Sequence, residues 1–109
     1  MSDQTNRAAG ATPARECCSP LACVRETRAT LEQFGLATKH RLGQNFLVND
    51  AVIARILEQA ELGADDVVLE VGPGIGTLTV GMLPRVRAVC SIEADRELEP
   101  VLAQTCARD

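Results

Sequence analysis

Apolar positions recur at helical spacing in two separate stretches of this chain and then give way to short continuous runs. Between Leu21 and Phe34, the residues Val24, Thr27, Leu31 and Phe34 fall on one stripe. Ser19 before Pro20 reads as an N-cap followed by proline at the first helical position, and Gly35 suits the residue after the helix end. A second helix is predicted from Asp50 to about Leu62, capped by Asn49, with Ile53, Ile56, Leu57 and Ala60 on its buried face. Residues 35–49 form the loop between them. Residues 1–18 show no apolar period and read as a mobile tail, leaving 19–109 as the folded part.

After a turn at Gly63 to Asp65 the pattern changes. Residues 66–71 are apolar at nearly every position, as expected for a parallel strand covered on both faces. Gly72-Pro73-Gly74-Ile75-Gly76 follows at once, and a helix is predicted from near Gly76 to just before Pro84. Arg87 to Ile92 forms a second strand, ending at Glu93. Asp95 or Glu99 caps a third helix, with Pro100 confined to its first turn. The order of strand, glycine turn, helix, strand and terminal carboxylate describes a nucleoside-binding half-site in an α/β fold. Glycines at 72 and 74 let backbone approach a ligand, and Glu93 can accept hydrogen bonds from both ribose hydroxyls. Glu70, close to the strand end, can accept from the turn's amides or lie near a ligand's ammonium group.

The spacing narrows the ligand. A dinucleotide fingerprint G-x-G-x-x-G needs glycine at 77, and Thr77 stands there, which argues against a dehydrogenase. Composition removes other classes. The net charge is -4, so no global field draws the chain to nucleic acid. Lys39-His40-Arg41 is the one basic cluster, and Phe34 and Phe46 are the only aromatics, so no base-stacking platform is evident. The five cysteines form no C-x-x-C pair and His40 is alone, so no metal site is expected. Reduced thiols, the absence of an apolar leader in the first twenty residues and the lack of a membrane-length apolar run point to the cytoplasm, with no membrane partner.

Two segments taken together carry a family resemblance. Arg41-Leu42-Gly43-Gln44-Asn45-Phe46-Leu47, then a helix, then Val68-Leu69-Glu70-Val71-Gly72-Pro73-Gly74-Ile75-Gly76-Thr77-Leu78-Thr79 resembles the ribosomal RNA adenine dimethyltransferases. Ile92-Glu93-Ala94-Asp95-Arg96 is similar to that family's segment after the second strand. The helix Leu21 to Phe34 and Leu42-Gly43 favour the small-subunit branch over the macrolide-resistance branch.

The resemblance covers roughly residues 20 to 109. It implies a Rossmann-like, class I S-adenosylmethionine-dependent methyltransferase fold, a parallel sheet with flanking helices, represented only in its N-terminal part. It also implies a small-subunit ribosomal RNA or pre-ribosomal particle as partner and adenine N6 dimethylation as the reaction. By resemblance Asn45 and Leu47 contact S-adenosylmethionine with Gln44 beside them, Gly72 and Gly74 approach its methionine portion, and Glu93 holds its ribose. By spacing alone Gly43 to Leu47 would be a packed loop. The family's Asn-Leu-Pro-Tyr-type catalytic motif and its helical RNA-binding domain have no counterpart in these residues. The expectation is therefore an N-terminal cofactor-binding fragment with no catalytic residue, inactive alone. The rival reading is a ribosome-assembly or RNA-binding factor without turnover, supported only by residues 39–41.

Overall fold

The computed structural model describes residues 18–37 and 47–107. Residues 1–17 of the expected tail, the basic cluster at 39–41, and Gln44 and Asn45 lie outside the described residues, whereas Cys18, the tail's last residue, is hydrogen-bonded to the second helix.

Helix α1 spans Val24–Gln33, and its cap differs from the expected one. The cap is Cys23, whose Sγ accepts from the Glu26 amide at 3.4 Å. Ser19-Pro20-Leu21 instead forms a turn before the helix, closed by Ala22 N–H donating to the Ser19 carbonyl. That turn is taken by another element. The Asp50 carboxylate accepts from the amides of Cys18 and Ser19 at 3.0 and 2.8 Å, so the segment bends toward the second helix before α1 begins. Val24 consequently leaves the stripe and is 45% exposed, while Thr27, Thr30 and Leu31 face inward.

The far end of α1 is as expected. Gly35 takes φ +72° and its amide donates to the Glu32 carbonyl, while Leu36 N–H reaches back to the Leu31 carbonyl. This pair of bonds satisfies the last carbonyls of the helix and brings Leu36 onto Leu31.

Helix α2 spans Asp50–Ala60, and Asn49 Oδ1 accepts from the Ala51 amide at 2.9 Å. Ile53 and Leu57 are buried, Ile56 is half-buried, and Ala60 is exposed, so the inward stripe is narrower than expected. Strand β1, Val67–Val71, pairs in parallel with β2, Ala88–Ile92, with Glu70 opposite Ser91. Between them lie α3, Thr77–Met82, and a 3-10 turn at Leu83–Arg85 that carries Pro84. Asp95 caps a second 3-10 turn, Arg96–Leu98, which runs into α4, Glu99–Thr105, with Pro100 in the first turn.

The helices pack on one face of the two-stranded sheet. Ala22, Ile53, Leu57 and Met82 form one core cluster, onto which Val68 and Val89 press from the strands. Leu31, Leu36, Ile75, Leu98 and Val101 form the other, joining α1, the glycine turn and α4. The expectation that β1 is covered on both faces fails among the described residues. Val67, Leu69 and Val71 are 64%, 64% and 76% exposed, and Ile92 beside them is 55% exposed. The alternation of a strand puts these side chains opposite the helices, where no described element covers them.

A bare apolar face on a strand with an unpaired edge is an association surface. The chain is expected to self-associate at micromolar concentration, and Leu69→Thr with Val71→Thr should reduce that association, as read by analytical ultracentrifugation. A monodisperse parent that melts in one sharp transition would contradict it.

Candidate functional site

The site grows from the end of β1. Gly72 N–H still donates to the Ile92 carbonyl at 2.8 Å, so it is the last rung of the ladder. The chain then leaves the sheet through three glycines at positive φ: +74° at Gly72, +62° at Gly74 and +95° at Gly76. An L-residue in that region costs roughly 1–2 kcal/mol, which is why this turn is built from glycine. Gly76 N–H closes the turn on the Pro73 carbonyl at 2.9 Å.

Packing holds the turn as firmly as its own bonds do. Ile75 is fully buried in the cluster with Leu31, Leu98 and Val101. Thr105 Oγ1, at the end of α4, donates to the Ile75 carbonyl at 2.7 Å. A Cβ on Gly76 would lie 2.8 Å from both Thr105 Oγ1 and Cys106 Sγ. At Gly72 a Cβ would meet nothing within 4 Å. The two glycines therefore serve different ends: Gly76 admits α4, and Gly72 keeps a wall of the cleft open.

That cleft, about 150 Å³, is lined by Leu47, Glu70, Val71, Gly72, Pro73, Thr77 and Leu78. Two of the residues expected at a cofactor site, Leu47 and Gly72, thus share one hollow at the carboxyl end of β1. The other two described candidates are bonded to each other. Glu93 Oε1 accepts from Gly74 N–H at 3.1 Å, and Oε2 accepts from Asp95 N–H at 2.9 Å. A carboxylate has about four lone-pair sites, so both oxygens retain acceptor capacity.

Glu70 departs from one of its two expected roles. It does not accept from the turn's amides; Thr79 Oγ1 and Ser91 Oγ, the latter at 3.1 Å, both donate to its Oε1. The cause is strand alternation, which turns Glu70 toward α3 and away from the turn backbone.

Local spacing does not assign Thr105, Thr77 or Leu78 to the site. Thr105 is thirty residues from the carbonyl it serves, and no local spacing marks it. Thr77 stood out only as the position a dinucleotide fingerprint would fill with glycine. Cys106 is half-buried against the turn, where burial pushes its thiol above the ordinary value, the Thr105 hydroxyl opposes that shift and the Glu70 charge adds to it. It stays protonated at neutral pH and is a packing residue. The described cysteines 18, 23, 90 and 106 are free thiols. Among the described residues, no group of three His, Cys, Asp or Glu side chains could hold a metal ion, and no helix is long and apolar enough to cross a membrane.

Comparison with known proteins places this geometry in a family context. The profile described as "Ribosomal RNA adenine dimethylase" matches residues 35–109. The chain is 43% identical over 76 residues to the "Ribosomal RNA small subunit methyltransferase A" of Clostridium acetobutylicum, covering 70% of the chain and 28% of that protein. Proteins of the same name from Pediococcus pentosaceus and Magnetococcus marinus are 48% and 50% identical over 79 and 72 residues. Those matches cover 72% and 66% of the chain, and 27% and 26% of the relatives. The chain thus spans less than a third of the length of these relatives.

The two glycines should separate experimentally. Gly76→Ala combines a positive φ with a collision, and is expected to cost roughly 2–5 kcal/mol of stability. Gly72→Ala carries only the backbone term, about 1–2 kcal/mol. Chemical denaturation of both variants checks this, and equal losses would contradict the division of roles.

Proposed function

Because the chain belongs to the ribosomal RNA adenine dimethylase family, we propose that residues 19–109 are the S-adenosylmethionine-binding portion of an enzyme that dimethylates adenine N6 in small-subunit ribosomal RNA. The observation that carries this reading is the bond from Gly74 N–H to Glu93. It joins the glycine turn and the carboxylate at the carboxyl ends of two adjacent parallel strands, where open parallel sheets bind their ligands.

The residues fit such a ligand. Sites that bury a whole small molecule run to roughly 300–1,000 Å³, so a cleft of about 150 Å³ takes one end of it. In this reading the methionine end enters between Leu47 and Gly72, and the ribose lies toward Glu93; Asn45 joins the site by the family resemblance alone. Glu93 keeps its bonds to Gly74 and Asp95 and accepts the two ribose hydroxyls with its remaining lone pairs. The carboxylate thereby fixes the ribose relative to the turn that carries the other end of the ligand.

The ligand supplies a methyl group already bonded to a sulfonium leaving group, so the protein's task is positioning. An adenine in structured RNA must leave its stack to reach such a site. No residue here is assigned to hold that adenine. The polypeptide of residues 1–109 is expected to bind S-adenosylmethionine without transferring its methyl group. Tritiated-methyl incorporation into unmodified small-subunit particles checks this, and counts above background from the purified chain would contradict it.

A bond to a charged group is worth about 1.5–3 kcal/mol. Glu93→Gln, which also turns a donor toward one of the two amides, should weaken S-adenosylmethionine by about 10- to 100-fold in titration calorimetry. Gly74→Val should do at least as much, and Glu58→Gln, exposed on α2, should change little. Parent-like affinity for Glu93→Gln would remove the ribose assignment.

A further inference from the structure

Glu70 lines the cleft and is half-buried one residue before the end of β1. Its carboxylate is held from two elements at once. Thr79, 4% exposed in α3, and Ser91, its register partner in β2, both donate to the same oxygen, Oε1. No hydrogen bond reaches Oε2 among the described residues. Two hydroxyls on one oxygen remove most of the rotational freedom that a glutamate otherwise keeps. The second oxygen is left as an acceptor on a side chain that lines a mostly apolar cleft, shared with Leu47, Val71, Gly72, Pro73, Thr77 and Leu78.

A fixed carboxylate in such a hollow favours a cation and repels an anion. That disfavours a phosphate or pyrophosphate in the cleft. An S-adenosyl ligand carries a primary ammonium at the end assigned to this cleft.

We propose that Thr79 and Ser91 are positioning residues, which hold Oε1 of Glu70 so that Oε2 receives the ammonium group of the bound ligand. The inference rests on the cofactor reading above, but concerns two hydroxyls that the reading does not use. Neither hydroxyl touches the ligand; both act through Glu70. Ser91 is exposed and lies outside both core clusters, so its removal leaves the packing in place.

The test compares two ligands on the 109-residue chain by titration calorimetry: S-adenosylhomocysteine, and its analogue lacking only the amino group. The parent is expected to prefer the amino ligand. Ser91→Ala and Thr79→Val should each reduce that preference by about 3- to 10-fold, with affinity for the deaminated analogue unchanged. Ser91→Thr and Thr79→Ser, which keep a hydroxyl, should restore it. An unchanged preference in both deletion variants overturns the proposal, and so does an equal loss for both ligands, which marks a merely structural role. Should Thr79→Val fail to fold, Ser91→Ala decides alone. A parent that binds neither ligand removes the cofactor reading itself, and this inference with it.

Discussion

One hydrogen bond orders the rest of this structure: Gly74 N–H to the carboxylate of Glu93 at 3.1 Å. It ties the turn after the first strand to the exit of the second, across nineteen residues. A turn with three positive φ values has little of its own to fix it, since glycine loses the most conformational freedom on folding. External partners must supply the order. Glu93 holds the turn from the sheet side. Thr105 holds the Ile75 carbonyl from α4, and the buried Ile75 side chain pins the turn into the core. The bond between Thr105 and the turn explains why α4 must reach that far, and why residue 76 has no side chain.

The same arrangement links stability to recognition. Groups that carry charge or expose backbone at the turn are already engaged before a ligand arrives, so little ordering remains for binding to supply. Glu93 keeps two amide bonds and spare lone pairs. Glu70 keeps two hydroxyl donors on one oxygen, with the other free of partners among the described residues. Both carboxylates are thus oriented by neighbours from other elements, one toward the turn and one toward the cleft.

Much of this was legible in the sequence where local chemistry dictates conformation. The Asn49 cap, the Gly35 helix end, the glycine turn, both strands and Pro100 in a first turn all follow from backbone rules that act within a few residues. The errors arose where a distant element intervened. Ser19 has the chemistry of a cap, but its amide is claimed by Asp50, thirty-one residues on, and Cys23 caps the helix instead. The run Val67 to Val71 reads as a strand buried on both sides because all but one of its residues are apolar, yet composition does not say what covers each face. Thr105 and Ser91 carried no signal at all, since a lone hydroxyl acquires meaning only through what the fold sets opposite it. Gln44 and Asn45, which the family resemblance brings to the site, lie outside the described residues.

The central claim is that Glu93 serves the turn and the ligand together. A crystal structure of the chain with S-adenosylhomocysteine bound tests it most directly. The account predicts both ribose hydroxyls within hydrogen-bond reach of Glu93, the Gly74 bond intact, and the amino-acid end of the ligand between Leu47 and Gly72. A ligand seated elsewhere, or a Glu93 side chain released from Gly74 and turned to solvent, would contradict it.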